Sequence, residues 1–263
     1  DLYKNCVYFD APTKVPCIQK DIRDVEPGDL TGFDAVIHLA ALSNDSLGNL
    51  DPEITYDINY YGTMHLARTA KLAGVKLFLF SSSCSNYGGG DNRLLTESST
   101  LHPITPYCKS KVMSERGLSS LADRTFCPVY LRSATGYGIS ARLRLDIVLN
   151  DFAAHAVVDG KVFMKSAGLE WRPLVHVEDI SRAFLAVLQA SPDAMYDQAI
   201  NVGQTLENYR ISEIAEMVRE IVPNCEILSA TEQATDVRCY HVDCSKIVRL
   251  IPSYKPQWGA RMG

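Results

Sequence analysis

No apolar stretch of this 263-residue chain is long enough to span a bilayer, and no signal-peptide pattern opens it. No run of Lys or Arg is present either. With a formal net charge of −5, that argues against a nucleic-acid or membrane-surface protein and leaves anionic ligands to individual arginines. The 8 cysteines, at 6, 17, 84, 108, 127, 225, 239 and 244, include no Cys-x-x-Cys pair, and no His/Cys cluster has zinc spacing. A hydrophobic fraction of 46% supplies a core without a disulfide framework, so reduced thiols in a cytoplasm are expected. No internal repeat or low-complexity linker divides the chain.

What is present is an alternation. Ala35 to Leu39, Lys76 to Phe80, Cys127 to Arg132 and Ala199 to Val202 are short apolar runs that read as buried strands. Residues 53–73, 107–121, the stretch beginning at Asp179, and the stripe Ile211, Ile214, Ala215, Val218 and Val222 read as helices. Strands alternating with helices predict an α/β fold built on a doubly wound parallel sheet. Ligands of such sheets lie beyond the carboxyl ends of the strands. His38-Leu39-Ala40-Ala41 and Ser81-Ser82-Ser83 fall at such ends, and a turn-like stretch follows from Asn86 to Asn92.

Tyr107 and Lys111 stand four residues apart, so one helix face carries both. A Lys ammonium beside a phenol favours the phenolate, and a phenol with an unperturbed pKa of about 10 needs that help near neutral pH. Ser83, at a separate strand end, can hydrogen-bond the same substrate oxygen. The trio suits removal of a proton from an alcohol while a hydride leaves its carbon. Tyr-x-x-x-Lys alone also occurs on solvated helix faces, so its surroundings carry the argument.

Those surroundings resemble, in order, the extended short-chain dehydrogenase/reductase family, in its NAD-dependent nucleotide-sugar epimerase/dehydratase branch. Asp21-Ile22-Arg23-Asp24 resembles the adenine-side segment, and His38 to Ala41 the strand end beside the cofactor. Asn59-Tyr60-Tyr61-Gly62-Thr63 resembles the Asn-x-x-Gly-Thr helix, and Ser81 to Gly88 the catalytic-serine strand and loop. Leu131 to Gly138 resembles the strand that closes the nicotinamide pocket. Trp171 to Asp179 resembles the Arg-x-x-x-His-Val-x-Asp segment, and Asp243 to Lys246 the Asp-x-Ser-Lys segment.

The resemblance implies a Rossmann-like NAD-binding domain from 1–140 and 173–203, with a smaller C-terminal substrate-binding lobe from 141–172 and 204–263. Ser83, Tyr107 and Lys111 take the catalytic roles. Asp21, Ile22, Leu39, Ala40, Ala41, Asn59, Ser81, Tyr107, Lys111, Ser133 and Ala134 take the cofactor side. Ser83, Thr135, Asn150, Arg172 and Arg238 take the substrate side, the two arginines facing a diphosphate. The implied cofactor is NAD, with NADP left open, and no metal is implied. The implied partners are a nucleotide sugar and a second copy of the chain, docked through the helices near 54–73 and 107–121.

One motif departs from the family. Its members open with a strand, a Gly-x-x-Gly-x-x-Gly turn and a helix that hold the cofactor pyrophosphate. This sequence opens at Asp1-Leu2-Tyr3 without them, and it stops soon after Trp258, where relatives continue. A fragment or a short form, with an incomplete Rossmann domain, weak dinucleotide binding and an exposed sheet edge, is therefore expected.

The residues after Ser83 bear on the reaction. In 4,6-dehydratases of the family an Asp-Glu pair follows the catalytic Thr; here Cys84 and Ser85 stand there, which argues against dehydration. Relatives that epimerise at C3 and C5 place a Cys two positions after the catalytic Ser, where this chain has Ser85. Epimerisation at C4 by transient oxidation needs neither and is the leading reading. An NAD(P)-dependent sugar reductase or dehydrogenase is the alternative, and a cofactor-free binding or regulatory relative is another.

Overall fold

A computed structural model describes residues 16–43, 45–230 and 238–263. Cys6, the opening Asp1-Leu2-Tyr3 and the Asp236-Val237 pair before Arg238 lie outside the described residues.

Four strands, Ala35–His38, Leu77–Ser83, Cys127–Ser133 and Gln198–Val202, pair in that order, and every pairing is parallel. Successive side chains of a strand point to opposite faces. Phe78, Phe80 and Tyr130 therefore pack with Leu66, Ala67, Ala70 and Leu118 on one face. Leu79, Val129, Leu131 and Ile200 pack with Ala183, Phe184, Val187 and Ile247 on the other. A sheet buried on both faces needs near-continuous apolar strands, as this sequence has. The helices Thr63–Leu72 and Pro106–Ser119 cover the first face, and Val177–Leu188 and Ser245–Leu250 the second. This is the Rossmann-like, doubly wound arrangement.

A second core forms where Leu149, Phe152 and Ala156 of the helix Val148–Asp159 meet Ile214, Ala215 and Val218 of the helix Ile211–Ile221. Short sheets join it to the first. Trp171–His176 pairs with Thr135–Tyr137 in parallel and with Asn208–Arg210 antiparallel. Gly89–Leu95 pairs in parallel with Cys239–Val242.

Local differences from the sequence expectation have identifiable causes. The helix expected over 53–73 contains a π-helical turn, Asp57–Gly62, between Pro52–Tyr56 and Thr63–Leu72. Such turns place a side chain where the regular spiral would not, and here the residue is Asn59. The stretch from Asn86 is a tight turn, Cys84–Tyr87, followed by the strand Gly89–Leu95. Gly88 makes the corner at φ 69°, where a Cβ would overlap the His102 carbonyl oxygen. The helix expected from Asp179 begins earlier, at Val177, and its N-cap is His176, whose Nδ1 accepts from the Glu178 amide at 3.2 Å. Asp179 is buried, and its carboxylate accepts instead from the backbone N–H groups of Gln257 and Trp258.

Candidate active site

Ser83 ends its strand, and Pro106 opens the helix beside it. The Thr105 hydroxyl caps that helix by accepting from the Cys108 amide at 3.2 Å. Pro at the first helical position suits its missing N–H, so Tyr107 enters in the first turn and Lys111 follows one turn later. The strand end and the helix start thus bring Ser83, Tyr107 and Lys111 together.

Lys111 is buried. Its Nζ donates to the Ser81 carbonyl oxygen at 2.7 Å, lies 4.6 Å from the Phe80 ring centroid and 5.6 Å from that of Tyr107. Burial pulls its pKa down to about 7, with Glu115 acting in the opposite direction. The Tyr107 phenol is held above its usual value by burial, with Cys108 adding to the rise and the Ser83 hydroxyl opposing it. Burial thus acts against the lowering that the sequence assigns to Lys111. Both groups lose hydration here, and the ammonium is engaged with a carbonyl and an aromatic face.

The Lys111 shift has a measurable consequence. Between pH about 7 and 10.5 the unfolded chain keeps the Lys111 proton and the folded chain does not. Stability therefore rises with pH across that window, relative to Lys111→Met, with a slope approaching ~1.4 kcal/mol per pH unit. Urea unfolding of both proteins without nucleotide, from pH 7 to pH 10, measures it; a pH-independent difference would show that the ammonium is not desolvated.

Around the trio lies a chain of short polar side chains. Ser83 Oγ shares a hydrogen bond with Ser85 Oγ at 2.7 Å and accepts from the Ser85 amide at 3.1 Å. The Cys108 thiol donates to Ser85 Oγ at 3.2 Å, and the Thr105 hydroxyl donates to Asp45 Oδ1 at 2.8 Å. Sequence reasoning passed over Asp45 and Thr105 and read Ser85 as the place of a missing carboxylate or a missing cysteine. A cap residue before Pro106 was the one available signal, and it pointed to Thr105 alone. Cys84 is fully buried, and its thiol donates to the Arg132 carbonyl oxygen at 3.0 Å. Burial pushes that thiol well above its ordinary range, with Cys244 adding to the effect, so Cys84 is no acid or base near neutral pH.

Beneath the serines, Arg132 Nε and Nη2 grip the Glu115 carboxylate at 3.0 and 2.6 Å, both side chains being buried. Ser82 Oγ donates to the same carboxylate, and Arg132 Nη1 donates to the Tyr87 hydroxyl at 3.1 Å. Burial works against the Arg132 charge, and the Glu115 carboxylate overrides it, so the guanidinium is held more firmly than usual.

The expected cofactor residues divide by what their side chains touch. Ser133 stands in register with Ser83 on the neighbouring strand. Its hydroxyl is buried with no hydrogen-bond partner among the described residues, which fits a polar ligand atom at the strand ends. Leu39 and Ala40 are exposed beyond their strand, and Ala41 is half-buried. Ser81 offers its carbonyl to Lys111, and the Ala134 amide donates to Val202 at 2.9 Å. Asn59 is buried and spends its amide within the chain. It accepts from the Leu42 amide, and it donates to the Leu42 carbonyl and to Ser110 Oγ. Asp21 caps the turn Ile22–Asp24, and Arg23 holds its carboxyl down at about 2. Ile22 packs closely on Gly62.

On the substrate side, Arg172 and Arg238 meet. Arg172 Nη1 donates to the Arg238 carbonyl oxygen, and its guanidinium lies 5.6 Å from the Tyr240 ring centroid. Arg238 Nη1 donates to Asp45 Oδ2 at 2.6 Å. Thr135 is half-buried and opposite Leu174. Asn150 uses both ends of its amide on the segment before it, accepting from the Gly138 amide and donating to the Arg144 carbonyl. Among the described residues no His/Cys/Asp/Glu group is arranged to hold a metal ion, and no helix is long and apolar enough to cross a membrane.

Comparison with known proteins gives four findings. Residues 15–203 match the family model described as the NAD dependent epimerase/dehydratase family. The chain is 30% identical over 207 residues to a dTDP-D-glucose 4,6-dehydratase of Mus musculus, covering 78% of this chain and 56% of that one. It is 28% identical over 219 residues to a UDP-glucose 4-epimerase of Lactobacillus helveticus, covering 78% and 64%. The chain thus spans less than two thirds of the length of these relatives. Among solved structures, DesIV, a dTDP-glucose 4,6-dehydratase of Streptomyces venezuelae with NAD and TYD bound, superposes with a TM-score of 0.77 at 25% identity, over 91% of this chain and 74% of that one.

Proposed function

The chain belongs to the NAD dependent epimerase/dehydratase family, and on that premise we propose that it epimerises a nucleotide-diphosphate sugar at C4 by transient oxidation. The observation that carries this reading is the pairing of an assembled Ser83, Tyr107 and Lys111 with a site that has no carboxylate at 84 or 85. Cys84 is a buried thiol turned to a backbone carbonyl, and Ser85 is bonded to Ser83. Neither supplies the acid and base that elimination of water requires.

NAD, when bound, supplies the hydride acceptor of the oxidation and the donor of the return step. Ser83 holds the sugar hydroxyl, and Tyr107 takes its proton and later gives it back. Lys111 presents its Nζ to the Tyr107 ring and to the cofactor ribose, and the Ser133 hydroxyl, without a partner among the described residues, receives the nicotinamide side. Arg172 and Arg238 hold the diphosphate. The reading includes the division into an NAD-binding domain over 1–140 and 173–203 and a substrate lobe over 141–172 and 204–263, and a cytoplasmic homodimer.

The test is incubation with UDP-glucose and with dTDP-glucose, with no external reductant and NMR of the products. A galactose-configured product supports the reading. A 4-keto-6-deoxy sugar would replace it with the dehydration carried out by the 30%-identical relative. Nucleotide binding without turnover would make the chain a binding relative.

A further inference from the structure

Asp45 occupies the place where an anion would meet the Arg238 guanidinium. Its Oδ2 accepts from Arg238 Nη1 at 2.6 Å, and its Oδ1 accepts from the Thr105 hydroxyl at 2.8 Å. The Arg238 and Asp45 side chains are 21% and 27% exposed, so the pair is largely withdrawn from water. Arg172 donates to the backbone carbonyl of Arg238 and so braces the segment that carries this guanidinium. A carboxylate spanning a guanidinium and a hydroxyl presents the same acceptor chemistry as one phosphate group.

We infer that Asp45 is an internal competitor for the diphosphate of the substrate. It is a positioning residue that holds Arg238 and surrenders it when the diphosphate enters. This rests on the reading of Arg172 and Arg238 as the diphosphate site. Binding then includes the cost of parting Asp45 from Arg238, and affinity scales with the fraction of time that Arg238 is parted from Asp45. If Arg238 is engaged nine-tenths of the time, the apparent affinity is lowered about tenfold. Asp45 also holds Thr105, which caps the helix that carries Tyr107. Arrival of a diphosphate is thereby felt at the first turn of the catalytic helix.

Calorimetric titration of UDP and, in parallel, dTDP into the full chain tests this. Asp45→Asn keeps an acceptor for the Thr105 hydroxyl and removes the charge. It is expected to bind both nucleotides about tenfold more tightly, and to bring no gain when Arg238 is already Gln. Equal affinity in Asp45→Asn overturns the inference, because no competition exists. Weaker affinity also overturns it, because Asp45 is then a ligand contact. If Arg238→Gln alone leaves affinity unchanged, the diphosphate reading has failed and takes the competitor with it. Thermal unfolding of each variant verifies folding; should Asp45→Asn not fold, Asp45→Ser, whose hydroxyl also accepts from Thr105, supports the same comparison.

Discussion

Tyr107→Phe lowers kcat by about 10²–10⁴-fold and leaves nucleotide affinity near its original value. Phe keeps the ring that packs near the Lys111 ammonium and removes the hydroxyl beside Ser83. The substitution therefore deletes proton transfer with little change in shape. Single-turnover hydride transfer measured with dTDP-glucose separates this step from product release. The pH profile adds a second readout. The phenol lies above its ordinary value, so unmodified activity should climb with pH through the neutral range, whereas the residual rate of Tyr107→Phe should not. Full activity in Tyr107→Phe would refute the acid–base role.

Arg132→Met destabilises the fold by about 3–5 kcal/mol, because it leaves a buried carboxylate without its partner. Among the described residues Glu115 would retain Ser82 and Asn86 as hydrogen-bond donors in place of the two-pronged guanidinium. The double change Arg132→Met with Glu115→Leu removes both charges and should recover most of the loss, since apolar pairs of similar volume often replace buried ion pairs at little cost. Urea unfolding of the two singles and the double gives the coupling directly. Equal loss in Arg132→Met and in the double would show that packing, rather than the charge, is what Arg132 supplies. The pair also matters to the site, because Glu115 is one turn beyond Lys111 and Ser82 adjoins Ser83. A protein that folds with this pair broken should show a weakened catalytic step before it shows weakened nucleotide binding.

The sheet was legible because each of its strands is a local apolar run. Both faces of a parallel sheet are covered, so no alternation hides the pattern. The helix pair Tyr107 and Lys111 was legible for a similar reason, since four residues is one turn. Legibility fails where a partner is remote. Asp45 and Arg238 are 193 positions apart, and nothing near either residue announces the other. Glu115 carries no local signal of a partner, and only the register of the strand Cys127–Ser133 turns Arg132 onto it. Asn59 is placed on the cofactor side by resemblance alone, and only the structure shows that the π-helical turn aims it at Leu42 and Ser110. The pKa directions were the least accessible. The sequence pairs a phenol with an ammonium, but burial moves both away from charge.

The sequence by itself determined the alternating α/β order, the positions of the strand ends, and the residue types offered there: Ser83 on a strand, Tyr107 and Lys111 on a helix, and no acid at 84 or 85. These follow from periodicities of two and of 3.6 residues, which a short window contains. Only the tertiary structure decided the partners of those residues and their protonation. It set Lys111 on the Ser81 carbonyl, Cys84 under Arg132, and Asp45 on Arg238. Hydrogen bonds and desolvation depend on distances of a few ångströms between segments far apart in the chain, and no local pattern encodes those distances.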